Sequence, residues 1–346
     1  MSAFSAAIPI IDISSSNPNA PAQLLSAAST HGFVFVKNDG STGLTSQSID
    51  HVFDLSKAFF AAPVEEKESV SIASNKAGAN HGWLSQGVEK LDPATQKRAD
   101  VKEAFNLALP VANGTYPQAI PATLEPHIPL LIAFQESCHA LCQRLLARFA
   151  TALSIPPDWF TSRHDFSKGP SGTVFRLLYY PVLEAHEPDV DIRAGAHSDF
   201  GSLTLLFQRP GQPGLEIRTA GGEWTSVPVD PRTTSSASGK AEGLPILVNI
   251  GDLLEDWTAG LLKSTVHRVV FPKEGRGEDR YSIAYFCHPL DDARLEPVPS
   301  ELVRRHAEVH GRTGRGERMV TAKDHLMERL RSTYSVGKTV EEVGGS

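Results

Sequence analysis

The sequence predicts an all-β core of sandwich or jelly-roll type, preceded by a helical region and followed by a helix. Three observations carry that expectation. Residues Gly169–Phe286 fall into short runs of β-branched and aromatic residues punctuated by Gly and Pro, the pattern of many short strands joined by turns. Pro126–Ser154 repeats apolar residues at helical spacing (Leu130, Leu131, Phe134, Leu141, Leu145, Leu146, Phe149, Leu153), which marks one long amphipathic helix suited to the outside of a barrel. Beyond the strands, Thr321–Tyr334 has the periodicity of a helix, with Thr321 as N-cap and Asp324 three residues on.

The remaining elements follow in order. Ile8–Ile13 reads as a short strand. Pro21–His31 reads as a helix, with Pro21 in the first turn, where a missing N–H costs nothing, and Gly32 at the close. Phe33–Val36 is apolar throughout, as a buried strand requires, and a further helix is expected over Ser46–Ala61. Thr233–Gly243 is small and polar, a flexible surface loop between two strands, and the glycine-rich Gly311–Gly316 gives the last helix freedom to move. Three parts result: residues 1–125 as an N-terminal region of helices and short strands, 126–300 as the β core, and 301–346 as a C-terminal helical segment.

Composition narrows the function. The chain has 346 residues, 40% hydrophobic and 21% charged, as in ordinary globular proteins. Its 33 basic and 40 acidic residues leave a net charge of −7 with no basic run, which argues against a nucleic-acid surface and for a small-molecule partner. Three cysteines, Cys138, Cys142 and Cys287, make no disulfide framework; Cys138 and Cys142 stand four apart in a helical pattern and are expected to pack in the core in a reducing compartment. No secretory pattern opens the chain and no long apolar span interrupts it, so a cytoplasmic location without a membrane partner is expected.

One motif carries chemistry. In Ala196-His197-Ser198-Asp199-Phe200 an extended backbone puts His197 and Asp199 on one side and Ser198 on the other. His267, in the β-branched run Thr265–Phe271, supplies a second imidazole from another strand. Two histidines and one carboxylate are the ligand set that holds non-haem Fe(II) and leaves positions open for substrate and O2. H-x-D alone is weak in a chain with 13 histidines, where a salt-bridged surface pair is the commoner outcome. Thirteen residues after His267, Arg280 and Ser282 share one face of an alternating strand, a guanidinium fork beside a hydroxyl that suits a carboxylate.

The order H-x-D, a distant H, then R-x-S resembles the isopenicillin N synthase-like branch of the Fe(II)/2-oxoglutarate-dependent oxygenases, and the resemblance covers nearly the whole chain. Ile8–Ile13, His31–Gly40 and Phe59–Lys67 are similar to that family's N-terminal region. Asp100–Phe105 and Arg176–Pro181 are similar to the start of its barrel, and Gly214–Glu216, Gly222–Trp224 and Asn249–Asp252 to its middle strands and turns. The resemblance implies a double-stranded β-helix, the cupin-like jelly roll, with Fe(II) on His197, Asp199 and His267. It further implies that the distal carboxylate of 2-oxoglutarate sits on Arg280 and Ser282, with Tyr180 as a further donor. O2 is then the second cosubstrate, and ascorbate is admitted as an accessory reductant. Two positions depart from the family: Asn38-Asp39-Gly40 replaces N-H-G outside the metal site, and Leu178 stands where plant relatives have an Asn that contacts the cosubstrate.

The family reading implies oxidation of a small organic molecule by hydroxylation, desaturation or ring rearrangement, with secondary metabolism as the expected setting. A 2-oxoglutarate-independent iron oxidase of the same family, or an inactive metal-binding protein on the same scaffold, are the alternatives. Phe105, Asn106, Phe175, Phe286 and His288 flank or oppose the metal-bearing strands and are candidates for the substrate pocket, while Thr204 and Asn249 are inward-facing polar residues suited to supporting or packing roles. His81 is expected to be structural, and His306, His310 and His325 to face solvent.

Overall fold

The structure, a computed structural model, describes residues 6–41, 43–74, 80–187, 190–234, 243–272, 278–312 and 320–334. Strand β1 (Ile10–Ile11) lies parallel to β2 (Phe33–Val36), and α1 (Ala20–Thr30) joins them. The strand expected over Ile8–Ile13 is thus shorter, because Pro9 has no N–H to donate and the Asp12 carboxylate accepts from the Ser14 amide at 2.8 Å, turning the chain. After α1, Gly32 takes φ +68°, and a Cβ there would stand 2.4 Å from the Lys263 carbonyl oxygen, so both conformation and space require glycine.

Next come α2 (Ser46–Phe60), whose N-cap Thr45 accepts from the Ser48 amide at 3.1 Å, and α3 (Val64–Ser69). Strands β3 (Gly82–Leu84) and β4 (Glu103–Leu107) precede the long helix α4 (Ile128–Ala152). Then follow β5 (Val174–Tyr180), β6 (Ala194–His197), β7 (Leu203–Gln208), β8 (Leu215–Arg218), β9 (Trp224–Ser226) and β10 (Ile246–Ile250). The short α5 (Asp252–Trp257), β11 (His267–Val269), β12 (Arg280–Cys287), α6 (Glu301–His310) and α7 (Ala322–Tyr334) complete the described chain.

Two sheets result. The larger has eight strands in the order β1-β2-β10-β7-β12-β5-β4-β3, and the smaller has four in the order β6-β11-β8-β9. From β5 onward the chain passes back and forth between them, so sequence neighbours such as β5 and β6 lie in different sheets. Four of the eight strands in the larger sheet precede residue 126, and they widen it at both edges.

The two-residue side-chain period of a strand sorts the larger sheet into two faces. Phe175, Leu177, Leu205, Phe207, Ile283 and Tyr285 turn to the helix side, where Phe134 of α4 stands 5.6 Å from Phe175 and 5.3 Å from Phe207. Leu178, Tyr180, Leu247 and Ala284 turn the other way and pack with Leu215, Ile217 and Val269 of the smaller sheet. Of the residues described below, Arg280, Ser282 and Tyr180 share this inner face, and His197 and His267 stand on the smaller sheet.

The three cysteines are free and buried, Cys138 and Cys142 on the core side of α4 and Cys287 at the end of β12. The expected cap of the last helix is present: the Asp324 amide donates to Thr321 Oγ1 at 3.2 Å and the Thr321 amide to Asp324 Oδ2 at 3.1 Å. Residues 235–242 of the expected loop and 313–319 of the glycine-rich link lie outside the described residues. Among the described residues no helix is long and apolar enough to cross a membrane.

Candidate active site

Strand register brings the two imidazoles together: β6 and β11 pair antiparallel with His197 opposite His267, their ring centroids 4.3 Å apart. Asp199 stands just past the end of β6, with Oδ1 3.8 Å from His197 Nε2 and 3.7 Å from His267 Nε2. One ligand atom from each residue lies within 4.8 Å of the others, so a single cation at bond lengths of about 2 Å reaches all three.

Their orientation is fixed from behind. His197 Nδ1 meets the Gly195 carbonyl at 2.7 Å and His267 Nδ1 the Thr265 carbonyl at 3.1 Å, an arrangement that places the proton on Nδ1 and turns the Nε2 lone pair to the centre. Asp199 Oδ2 accepts from Thr204 Oγ1 at 2.6 Å and from Asn249 Nδ2 at 2.7 Å, which leaves Oδ1 facing the imidazoles. Thr204 and Asn249 therefore orient the carboxylate. Burial and the neighbouring His267 push His197 down to about 3. Burial raises Asp199, but the two imidazoles and the Thr204 and Asn249 hydrogen bonds outweigh it and hold the carboxyl below its usual range. His197 and Asp199 are thus in the metal-binding protonation state near neutral pH.

On the inner face of the larger sheet, β12 presents Arg280, Ser282, Ala284 and Phe286 in register with Tyr180, Leu178, Arg176 and Val174 of β5. A cavity with about 580 Å³ of empty space, partly open to solvent, reaches from the triad to Arg280, Ser282 and Tyr180. Arg280 is 1% exposed; it donates to Ser282 Oγ and Gln208 Oε1, each at 3.3 Å, and to the Gln212 carbonyl at 3.2 Å, with Cζ 5.0 Å from the centre of the Tyr180 ring. Burial lowers its pKa, and no carboxylate pairs with it among the described residues. A desolvated guanidinium with only neutral partners is a site for an anion. Leu178 belongs to the apolar wall beside Tyr180, so that position offers this end of the cavity no polar contact.

A second cavity opens on the other side of the triad. Phe286, His288 and Val174 line it from the sheet, and Leu326 and Leu330 from α7. A Cβ on Gly172 would stand 2.4 Å from the Leu326 side chain, so helix and barrel rim meet closely. Arg329 on α7 ties the helix to the loop that follows β6: it donates to Ser198 Oγ at 3.2 Å, pairs with Asp252 at 3.4 Å and covers the Phe200 ring.

Three expectations need correction. Phe105 and Phe175 do not line this cavity; period-two alternation turns both to the helix side, where Phe105 meets Phe59 at 4.8 Å. Asn106 stands behind the lining, fully buried, accepting from Arg176 Nε at 2.6 Å. His325 is 1% exposed rather than solvent-facing, because α7 lays that side on the barrel, whereas His310 is exposed and His306 half-buried. His81, half-buried at the edge of β3, is not among the three residues of the triad. Sequence reasoning missed Arg176 and Glu89 in these walls and Arg329 as the tie between α7 and Ser198; only Arg176 carried a signal, four residues before Tyr180 on the same strand face. Phe105→Ala should accordingly cost about 3–5 kcal/mol in denaturant unfolding while leaving the KM for small ligands near wild type.

His288 supplies a pH test. Burial, with His325 and His164 near, pushes it down to about 3 from the 6.5 of a free imidazole. As pH falls from about 6.5 toward 3 the unfolded chain takes up protons that the folded one does not, so stability present above that window is lost within it. The Tm of the metal-free protein should fall through this range, and His288→Gln should flatten the slope.

Two imidazoles and a carboxylate beside a cavity that ends on a buried arginine place the protein among the non-haem metal oxidoreductases. Comparison with known proteins defines the family. Residues 8–123 match the family described as non-haem dioxygenase in morphine synthesis N-terminal, and residues 171–289 match the 2OG-Fe(II) oxygenase superfamily. The chain is 36% identical to a UPF0676 protein of Schizosaccharomyces pombe over 94% of its length and 92% of the relative's. It is 32% identical to the proline hydroxylase buaE of Petromyces alliaceus, covering 90% and 92% of the two chains. The crystal structure of a full-length Neurospora crassa protein in complex with alpha-KG and thymine superposes with a TM-score of 0.74 at 28% identity, covering 94% and 96%. The chain belongs to the 2OG-Fe(II) oxygenase superfamily: it is a 2-oxoglutarate-dependent dioxygenase that uses Fe(II), 2-oxoglutarate and O2.

Proposed function

We propose that His197, Asp199 and His267 hold the Fe(II), that Arg280, Ser282 and Tyr180 take the distal carboxylate of 2-oxoglutarate, and that a small organic molecule is oxidised in the cavity between Phe286, His288 and α7. The observation that carries this reading is the buried, acid-free Arg280 at the far end of the cavity that starts at the triad. The passage of successive strands between the two sheets supports reading them as the halves of a double-stranded β-helix, with 126–300 as the catalytic core, 1–125 as the N-terminal region and 301–346 as the C-terminal segment.

When bound, the iron and 2-oxoglutarate supply the oxidative decarboxylation that drives hydrogen removal from the substrate. The chain's own residues position the partners. Thr204 and Asn249 keep Asp199 Oδ1 on the metal side, Arg280 sets the reach of the cosubstrate, and Leu326 and Leu330 shield the substrate end from water. Hydroxylation, desaturation and ring rearrangement all proceed from such a site. A substrate drawn from secondary metabolism, in the cytoplasm, suits a small, mostly apolar cavity and a chain whose three cysteines are all free.

The test measures succinate and product together. Wild type should form succinate from 2-oxoglutarate only with added Fe(II). Arg329→Ala, which unties α7 from Ser198 and Asp252, should raise succinate formed per product by a few-fold, in line with the loss of partly exposed polar contacts of about 1 kcal/mol. Iron-independent succinate formation overturns the proposed site, and unchanged coupling in Arg329→Ala removes α7 from the closure of the pocket.

A further inference from the structure

The face of β12 that carries Arg280 and Ser282 ends on a histidine. Arg280, Ser282, Ala284 and Phe286 alternate inward, and His288, two residues on, lines the cavity assigned to the substrate. The Ser171–Leu290 bridge keeps the backbone extended past the end of the strand. That backbone is pinned by side chains: the His288 amide donates to Thr173 Oγ1 at 2.9 Å, and the His288 carbonyl accepts from Ser171 Oγ at 3.0 Å and from Thr173 Oγ1 at 3.2 Å. Two glycines leave the slot for the ring. A Cβ on Gly201 would stand 2.9 Å from ring Cδ2 and Nε2, and one on Gly172 3.4 Å from Nδ1.

What the ring lacks is a partner. Among the described residues neither ring nitrogen of His288 makes a hydrogen bond, although the residue is only 4% exposed. His164, buried nearby, shows the contrast: its Nδ1 meets the Phe160 carbonyl at 2.7 Å and its Nε2 the Ser202 hydroxyl at 2.9 Å. Buried polar groups without a partner are exceptions in folded proteins, and one that borders a cavity is satisfied by what enters it. Burial keeps the His288 ring neutral, with His325 and His164 adding to that and Asp199 opposing it. A neutral imidazole presents one N–H and one lone pair, which serve a hydroxyl or an amide; it gives no counter-charge to a carboxylate. Phe286, Val174, Leu326 and Leu330 line the same cavity, so such a hydrogen bond forms in apolar surroundings.

We propose that His288 is a specificity-determining residue for the organic substrate: its imidazole hydrogen-bonds an uncharged hydroxyl or amide group, while the apolar part of the same molecule lies against Phe286, Leu326 and Leu330. The proposal rests on the assignment of this cavity to the substrate. It gives the two ends of one strand face different ligands. The carboxylate of the cosubstrate goes to Arg280 and an uncharged polar group to His288, and Phe286 between them borders both cavities.

The test uses the full chain loaded with Fe(II) and 2-oxoglutarate under argon, where probes bind without turning over. Two matched pairs are compared by equilibrium dialysis: benzyl alcohol against toluene, and benzamide against ethylbenzene. Hydration of each probe enters every variant equally, so the quantity read is the change in the polar-to-apolar affinity ratio on substitution. For at least one pair, His288→Phe should lower that ratio by roughly three- to tenfold, the yield of one hydrogen bond. His288→Gln keeps a donor and an acceptor and should hold the ratio within about twofold of wild type. Calorimetry should give wild-type affinity for 2-oxoglutarate in both variants. A merely structural role for His288 weakens the two members of a pair alike and leaves the ratio unchanged. His288→Leu takes the place of His288→Phe if the latter melts below the dialysis temperature. The proposal is overturned if the ratio in the folded Phe or Leu variant matches wild type for both pairs, or if His288→Gln lowers it as far as His288→Phe does. Failure of all four probes to bind a wild-type protein that holds 2-oxoglutarate overturns the assignment of this cavity to the substrate, and the proposal with it.

Discussion

Asp199→Ala should leave the protein folded but unable to retain iron, with turnover lowered by more than about a hundredfold, the upper end of what is lost when only the residues behind a metal ligand are changed. Asp199 is the single anion of the triad, and its Oδ1 lies within 4 Å of both imidazole Nε2 atoms, so without it two neutral histidines would have to hold a divalent cation. The variant also strips Thr204 Oγ1 and Asn249 Nδ2 of their shared acceptor in a buried place, which costs stability without changing strand pairing. Iron per protein after gel filtration and initial succinate rate are the two measurements. Wild-type iron content in a folded Asp199→Ala protein would move the metal to other residues. A Thr204→Val change tests the same geometry more gently: it keeps the ligand and removes one of its two supports, so iron affinity should fall by about tenfold.

How much of this was legible in the sequence depends on the range of the signal. His197 and Asp199 could be paired on paper because a strand's period is two, and Arg280 with Ser282 for the same reason; the structure keeps both pairs on one side. The long helix and the cap at Thr321 were readable because helical periodicity and side-chain caps are local. The pocket residues were not. Phe105 and Phe175 sit beside Asn106 and Arg176 in sequence, and a one-residue offset sends their rings to the opposite face of the sheet, where α2 and α4 bury them. Glu89 meets Arg176 across 87 residues from a segment without strand or helix, so nothing in its neighbourhood announced the ion pair. His325 looked like a solvent-facing helical histidine because the partner surface that covers it is the barrel, which lies distant in the chain.

Arg280→Lys should raise the KM for 2-oxoglutarate by roughly 30- to 150-fold, equivalent to about 2–3 kcal/mol for charge-assisted hydrogen bonds lost, and leave iron content unchanged. The charge survives the substitution, so an effect of that size would come from geometry. Arg280 already spreads donors to Ser282, Gln208 and the Gln212 carbonyl, and a planar fork held on three sides presents a carboxylate with two parallel N–H bonds at a fixed distance from the triad. A lysine ammonium offers one point of contact on a flexible stem and leaves the Gln208 and Gln212 oxygens short of a donor in a buried pocket. The triad itself is untouched, because no hydrogen bond from Arg280 reaches His197, Asp199 or His267. The KM for the organic substrate should change much less than that for 2-oxoglutarate, since Arg280 does not line the cavity proposed for that substrate. Unchanged 2-oxoglutarate dependence in a folded Arg280→Lys enzyme would place the cosubstrate's distal carboxylate elsewhere, with the next buried cations to test being Lys102, which lines the same cavity, and Arg193, which burial and the adjacent Arg280 hold down at about 10.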